Sequence, residues 1–117
     1  MKPKYWLDDV EYRYIFSRVP RFCVELVLIT DKGLVLTKRK QQTWKGFWHI
    51  PGGSVMYDES IEDAIIRIGR AELGVTVGVG ELLGYAEYDE TKWRGFGKSN
   101  SLIFHVKLKE GERLSKV

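Results

Sequence analysis

The segment from Pro51 to Val75, PGGSVMYDESIEDAIIRIGRAELGV, most constrains the fold, because it contains a turn, a helix start and a helix end in a fixed order. The two glycines after Pro51 are typical of a break in regular structure. Either Asp58 or Ser60 can cap the helix that follows, and Gly74 suits the left-handed residue that commonly ends a helix. The sequence therefore predicts a glycine turn followed by a helix that ends at Gly74.

The predicted helix carries a carboxylate in the middle of its apolar face. At about 100° per residue, one stripe collects the apolar side chains of Ile61, Ala64, Ile65, Ile68 and Ala71. Glu72 projects from the same stripe, between Ile65 and Ile68. A buried carboxylate must be neutralised, hydrogen-bonded or bound to a cation. Two interpretations stay open: Glu72 bends out to solvent or pairs with an arginine near the helix end, or it binds a metal ion.

The rest of the chain predicts strands and one further helix around this segment. A short helix is expected within LDDVEYRYIFSRV, before Pro20, and a buried strand in FCVELVLIT. A turn at residues 31–33 leads into LVLTKRK as a hairpin, and ELLGYAEY and SLIFHVKL predict two more strands. With 117 residues, 44% of them apolar, the chain can bury one core. We therefore expect a single α/β domain over residues 1–117, with helices packed on a mixed sheet.

Composition excludes several classes of partner. The net charge of +3 comes from scattered basic residues and gives no case for nucleic-acid binding. No apolar run approaches membrane-spanning length. Cys23 is the single cysteine, which fits a reducing cytoplasm, and an inert buried thiol is the expected state in so apolar a strand. These features predict a soluble, cytoplasmic protein.

The helix segment resembles the signature of the Nudix hydrolases. Gly53 is followed after five residues by Glu59, after seven more by Arg67, and then by the run from Glu72 to Val75. The resemblance implies a Nudix-type α/β/α sandwich with the signature at about residues 53–75. It also implies that residues 1–20 form an N-terminal helical extension, and that the usual C-terminal strand and helix are lacking.

The departures from the family pattern concern its metal ligands. Ile68 stands where the family has a glutamate after the arginine, Gly69 stands at the aliphatic position, and Ala71 replaces the first of two paired glutamates. Glu72 alone remains of the three helical carboxylates. Several divalent cations require several oxygen anions, so we expect one Mg²⁺ or Mn²⁺.

Within this family the segment is similar to the GDP-mannose mannosyl hydrolases, which keep the arginine and the AELG ending. The resemblance implies that the Gly52 carbonyl and Glu72 bind the metal and that Arg39 and Glu25 contact the substrate. It also implies a homodimer, and water attack at the anomeric carbon with release of GDP. Ser54 occupies the place of an arginine that assists the leaving diphosphate in that group.

Two further residues of the signature are predicted to serve catalysis indirectly. The resemblance implies that Arg67 orients Glu72 or Glu59, and that Glu59 braces the loop between the glycine turn and the helix. The general base is open: the chain has two histidines, His49 and His105, and a lone strand histidine is more often a hydrogen-bonded structural residue.

Two other functions stay open at this point. One is a conventional Nudix pyrophosphohydrolase acting on a substrate such as ADP-ribose, and the other is a nucleotide-binding domain without turnover. The loop DETKWRGFGKSN either stacks on a nucleotide base or is an exposed hairpin loop. Trp44 and Phe47, together with the N-terminal helix, are candidates for a dimer contact.

Overall fold

The computed structural model describes residues 5–38 and 47–114. Three helices and seven strands lie in these ranges: α1 Asp9–Phe16, β1 Arg21–Thr30, β2 Gly33–Leu34, β3 Thr37–Lys38, β4 Trp48–His49, β5 Gly52–Ser54, α2 Ile61–Ile68, β6 Val77–Asp89, α3 Thr91–Arg94 and β7 Lys98–Leu108. A π-helical turn, Gly69–Leu73, continues directly from α2.

The sheet is built around β1. Strand β7 pairs with β1 in parallel, and β6 pairs with β7 in antiparallel orientation. On the other side of β1, both β5 and β2 pair antiparallel with it. The predicted mixed sheet is confirmed. In its described part, the predicted hairpin strand LVLTKRK is divided in two: β2 pairs with β1, and β3 pairs with β4 in a separate two-stranded sheet.

Both long helices begin where local capping groups satisfy their first N–H groups. In α1, the Glu11 N–H donates to Asp8 Oδ1 at 2.8 Å, and the Asp8 N–H donates to Glu11 Oε1 at 3.2 Å. In α2, the Asp63 N–H donates to Ser60 Oγ at 3.0 Å. The helix predicted before Pro20 is confirmed, and Ser60 rather than Asp58 caps α2.

The core lies between one face of the sheet and α2. Its buried members come from β1, α2, β6 and β7, with Val75 and Val35 at its margin: Val24, Leu26, Leu28, Val35, Ala64, Ile65, Ile68, Val75, Val77 and Val106. Burial of one side chain such as Ile65 contributes about 2 kcal/mol. The apolar stripe predicted for the helix therefore faces the sheet as far as Ile68.

The expectation that regular structure breaks at Gly52 and Gly53 is wrong. These residues form β5, in which Gly52 opposes Glu25 and Gly53 opposes Val24. A Cβ atom at Gly52 would lie 2.7 Å from the Val24 carbonyl oxygen. The glycine allows a close approach of two backbones here, so a residue type typical of turns lies inside a sheet.

The expectation that Ala71 and Glu72 lie on a buried stripe is also wrong, since both residues are exposed. The α-helix changes to a π-helical turn at Gly69. A π-helix has more residues per turn than the 3.6 of an α-helix, so the 100° spacing stops describing the chain after Ile68. Gly74 ends the turn in the left-handed conformation, with φ 71°, as predicted for a glycine at the end of a helix.

The last two strands are confirmed with wider limits. Strand β6 begins at Val77, before the predicted segment ELLGYAEY, and β7 includes all of SLIFHVKL. The connection between them contains the short helix α3. In residues 5–38 and 47–114, no helix combines the length and the apolar character needed to cross a membrane.

Candidate active site

Arg67 ties helix α2 to the loop that precedes it. Its Nη2 donates to the Ser54 carbonyl at 2.8 Å and to Glu59 Oε1 at 3.0 Å, and its Nε donates to Glu59 Oε2. Glu59 Oε1 also accepts the Met56 N–H at 3.0 Å. The hydrogen bonds from Arg67 hold the pKa of Glu59 below its ordinary value, although partial burial opposes this. The pair is therefore a charged brace across the loop.

Of the two partners predicted for Arg67, the structure shows contact with Glu59. The Glu72 carboxylate is exposed and makes no hydrogen bond or ion pair with any other residue in the described part of the chain. Of the interpretations left open for Glu72, exposure to solvent agrees with the structure, and neutralisation by an arginine is not supported by the described contacts.

The carbonyl of Gly52 points away from β1. The Pro51 carbonyl accepts the Leu26 N–H at 2.9 Å, and the residues of an antiparallel strand alternate between bonding toward and away from a given neighbour. Gly52 and Ser54 therefore direct their carbonyls to the other side of β5. The Ser54 carbonyl confirms this direction by accepting from Arg67.

Helix α2 packs on β5 through Ile68. A Cβ atom at Gly53 would lie 3.3 Å from Ile68 Cδ1, and Arg67 reaches the Ser54 carbonyl. The turn that contains Glu72 continues from this helix. Carboxylate and backbone carbonyl oxygens, such as those of Glu72 and Gly52, are donors that fit Mg²⁺ or Mn²⁺.

Ile68, which stands where the family pattern has a glutamate, packs in the core. Ile68 is 2% exposed and belongs to the core cluster. Within residues 5–38 and 47–114, no three His, Cys, Asp or Glu residues gather closely enough to hold a metal ion. The single Mg²⁺ or Mn²⁺ ion expected from the sequence stays a prediction.

Glu25 lies on the opposite face of the sheet from α2. A Cβ atom at Gly52 would point to Glu25 Cγ at 3.0 Å, whereas one at Gly53 points to Ile68 of α2. Glu25 is 8% exposed, and its Oε1 accepts a hydrogen bond from the Tyr88 hydroxyl at 3.1 Å. Burial, together with the bond to Glu25, raises the pKa of Tyr88 to about 12.

Sequence reasoning missed Tyr88. Its segment, ELLGYAEY, predicts a strand, but the contact with Glu25 joins residues 63 positions apart. No local pattern signals such a contact. Glu25 lies beside Gly52 because β5 pairs with β1, and the sequence did not predict β5 as a strand.

The other candidate nucleophiles and bases have structural surroundings. Cys23 is buried, and burial raises the pKa of its thiol, which agrees with an inert residue. His49 Nδ1 lies 2.9 Å from the Ile50 carbonyl, and its Nε2 lies 3.4 Å from Thr37 Oγ1. These contacts favour a hydrogen-bonded structural role for His49. His105 lies within β7.

The aromatic loop between β6 and β7 is packed rather than open at Phe96. Phe96 is 8% exposed, and the guanidinium carbons of Arg13 and Arg94 lie 4.8 Å and 4.6 Å from its ring centroid. Tyr12 meets the same ring edge-on at 6.2 Å. Phe96 thus attaches α1 to this loop and is not a free platform for a nucleotide base.

Some predicted residues lie outside the described part of the chain. Arg39 and Trp44 are among them, so the substrate contact of Arg39 and the dimer contact of Trp44 stay predictions. Helix α1 exposes Val10 and Tyr14, at 79% and 62%. The homodimer also stays a prediction.

Comparison with known proteins gives one consistent family. The NUDIX domain model matches residues 19–116. The chain is 34% identical over 111 residues to the low-salt glycan biosynthesis protein Agl8 of Haloferax volcanii, covering 92% of this chain and 71% of that protein. It is 32% identical over 96 residues to the ADP-ribose pyrophosphatase of Methanocaldococcus jannaschii, covering 80% of this chain and 57% of that protein.

Solved structures agree with these matches. The MutT NUDIX hydrolase of Burkholderia pseudomallei superimposes with a TM-score of 0.72 at 26% identity, covering 85% of this chain and 76% of that one. The MutT protein of Methanosarcina mazei Go1 gives a TM-score of 0.68 at 26% identity, covering 84% and 72%. Since the domain model spans nearly the whole sequence, the chain belongs to the Nudix hydrolase family.

Proposed function

We propose that this enzyme hydrolyses a nucleoside diphosphate sugar, with GDP-mannose as the first candidate, and releases GDP and the free sugar. The observation that carries the proposal is the reduced set of signature carboxylates: Glu72 is exposed, and it is unpaired among the described residues, while Ile68 is buried in the core. One bound Mg²⁺ or Mn²⁺ would offset most of the negative charge of a leaving diphosphate. Attack at phosphorus in the manner of the multi-metal Nudix enzymes calls for more anionic ligands than the described residues provide.

The reaction exchanges one carbon–oxygen bond for another. The oxygen of water forms a bond to the anomeric carbon, the bond from that carbon to the diphosphate breaks, GDP leaves with the electron pair, and one proton of the water is released to solvent. When bound, the cation supplies charge stabilisation for the departing diphosphate. The relative from Haloferax volcanii is named for glycan biosynthesis, which supports a substrate that contains a sugar.

Each predicted site residue has a role in this scheme. Gly52 and Glu72 hold the cation through oxygen atoms. Arg67 and Glu59 keep the loop after β5 fixed against α2 through their paired hydrogen bonds. Glu25, held by Tyr88 on the other face of the sheet, binds sugar hydroxyls, and Arg39 binds the diphosphate.

Hydrolysis in oxygen-18 water tests which atom is attacked. Attack at the anomeric carbon puts the label into mannose and leaves GDP unlabelled, as mass spectrometry of both products will show. Label in GDP with none in mannose would remove the proposal.

A second candidate is a pyrophosphohydrolase acting on ADP-ribose, because the relative from Methanocaldococcus jannaschii is named for that activity. This reaction yields a nucleoside monophosphate and a sugar phosphate. Chromatography of the products from each substrate separates the two candidates, since free sugar and nucleoside diphosphate appear in the first case alone.

The metal assignment predicts a large effect of Glu72→Gln. The amide keeps the size of the side chain and removes its charge, so we expect Mn²⁺ affinity to fall by about tenfold or more, measured by electron paramagnetic resonance of free Mn²⁺. Glu62→Gln, an exposed change in the first turn of α2, is the matched control and keeps the parent affinity. Unchanged affinity in Glu72→Gln would show that the metal is bound elsewhere.

A further inference from the structure

The π-helical turn after α2 decides where Glu72 points. It is defined by the Gly74 N–H, which bonds to the carbonyls of Gly69 and Arg70. A continued α-helix would put Glu72 between Ile65 and Ile68, facing the sheet. In the structure Ile68 is buried and Glu72 is exposed, so the change of helix type separates the carboxylate from the apolar stripe. Single π-helical turns inside helices often occur at functional sites.

Gly69, the first residue of this turn, packs closely against Val77 of β6. It is buried, and a Cβ atom there would lie 3.2 Å and 3.4 Å from the two γ-methyl carbons of Val77. The Val75 carbonyl oxygen would lie at 3.5 Å, an ordinary contact distance. The turn therefore rests on Val77 at a separation that leaves little room for a side chain on Gly69.

We propose that Gly69 is a positioning residue for the cation site: its missing side chain lets the π-helical turn rest on Val77, and this turn holds the Glu72 carboxylate off the apolar stripe, where a cation can reach it. The inference rests on the proposed metal-binding role of Glu72. It adds the physical reason why glycine stands where the family pattern has an aliphatic residue.

A side chain at Gly69 would move the turn rather than the strand. Val77 is fully buried in the core and pairs with Leu108 of β7, so the sheet and the core hold it from several sides. The turn is five residues long and ends at Gly74, and its residues Arg70, Ala71 and Glu72 are exposed. The side chain of Glu72, three residues after Gly69, would be displaced with it.

The test is Mn²⁺ affinity in Gly69→Ala. Alanine is a better helix former than glycine, so the variant folds, which thermal unfolding without metal confirms. Displacement of a ligand by its supporting groups typically weakens metal binding about ten- to hundredfold, and we expect a loss in this range. A purely structural role for Gly69 would shift the unfolding midpoint and leave the affinity of the folded protein unchanged.

A second substitution that removes the contact between the new Cβ atom and Val77 tests whether this contact causes the loss of affinity. Val77→Ala removes both γ-methyl groups that the new Cβ would meet, so Gly69→Ala/Val77→Ala is expected to regain most of the affinity lost in Gly69→Ala. Gly78→Ala is the matched control, because its Cβ meets its nearest neighbour, Lys109 Cε, at 3.8 Å, and it keeps the parent affinity. If Gly69→Ala unfolds, Val77→Ile enlarges the same contact from the strand side and must show the same loss.

The outcomes separate this inference from the metal assignment. Parent-like affinity in Gly69→Ala, or a double variant as weak as Gly69→Ala, overturns the role of Gly69. Loss in Glu72→Gln with retention in Gly69→Ala rejects this inference alone. Retention in both variants rejects the metal assignment as well.

Discussion

At the residue scale, the Arg67 guanidinium fixes the loop between β5 and α2 by binding one backbone carbonyl and both oxygens of Glu59. A paired arginine and carboxylate is stronger than a single hydrogen bond, and its planar geometry resists rotation. This pair acts on the site through the loop, because Arg67 contacts Ser54 on the same strand that carries Gly52. Its charge therefore matters for stability, and its effect on catalysis is indirect.

This pair predicts a specific dependence of stability on pH. Arg67 lowers the pKa of Glu59 below the ordinary 4.5 in the folded protein. The carboxylate therefore contributes stability above about pH 4.5, and this contribution is lost as the pH falls through the lower folded pKa. We expect Glu59→Gln to reduce the free energy of unfolding by about 1 kcal/mol at pH 7, and to flatten its decline below pH 4.5.

Urea unfolding between pH 3 and pH 7 measures this difference. Glu62→Gln, on an exposed position of α2, serves as the control and leaves the slope of the parent in place. A Glu59→Gln variant with the same loss of stability at every pH would mean that the ionised form of Glu59 carries none of the effect.

Among single residues, the sequence predicted contacts within the signature better than contacts across the sheet. The family resemblance implied that Glu59 braces the loop and that Arg67 orients Glu59 or Glu72, and the contact between Arg67 and Glu59 lies within one local unit. Tyr88 was missed because its partner Glu25 lies 63 positions away on another strand. Tertiary packing fixes such a pair, and no periodic pattern within either segment contains it.

At the element scale, β5 depends on glycine for its place beside β1. A Cβ atom at Gly52 would lie 2.7 Å from the Val24 carbonyl oxygen, a backbone atom that is unable to rotate away. Gly52→Ala is therefore expected to lower the free energy of unfolding by roughly 1 to 3 kcal/mol. Gly84→Ala, where a Cβ meets nothing within 4 Å, is the matched control and is expected to change stability little.

Thermal unfolding of the three proteins tests this expectation. For a domain of this size, a loss of 1 kcal/mol lowers the midpoint by roughly 4 °C or more. Equal midpoints for Gly52→Ala and Gly84→Ala would mean that β5 has room to move away from β1.

Elements that local chemistry specifies were predicted well, and elements that depend on distant partners were not. Helix α1 has its own capping pair, Asp8 and Glu11, and helix α2 has Ser60, so both starts are visible in the sequence. Strand β5 exists because β1 pairs with it, which overrides the turn preference of two glycines. The π-helical turn begins at Gly69, where an added Cβ atom would meet Val77 of β6, and the assumed 100° period did not predict this turn.

At the scale of the whole molecule, the proposed metal ligand Glu72 and the proposed substrate contact Glu25 belong to different faces of one sheet. Glu72 comes from the helix that covers one face, and Glu25 projects from β1 on the other face. Strand β5 lies between them, with its Gly52 carbonyl at the sheet edge. A substrate that reaches both must therefore pass around the edge of β5, which suits an elongated molecule such as a sugar joined to a nucleoside diphosphate.

The Tyr88 hydroxyl links the outer strand β6 to the central strand β1 across β7, and this link gives a test of the assembled sheet. In the folded protein, burial and the bond to Glu25 raise the pKa of Tyr88 to about 12, from an ordinary value of 10. The neutral phenol therefore contributes stability below pH 10, and this contribution is lost as the pH rises toward 12.

Titration of tyrosine absorbance should accordingly show a late component in the parent protein that is missing in Tyr88→Phe. Tyr85→Phe, an exposed neighbour on β6, keeps that component. If the component removed by Tyr88→Phe is centred near pH 10, Tyr88 and Glu25 are not joined in solution, and the path of the sheet between them must differ from that described.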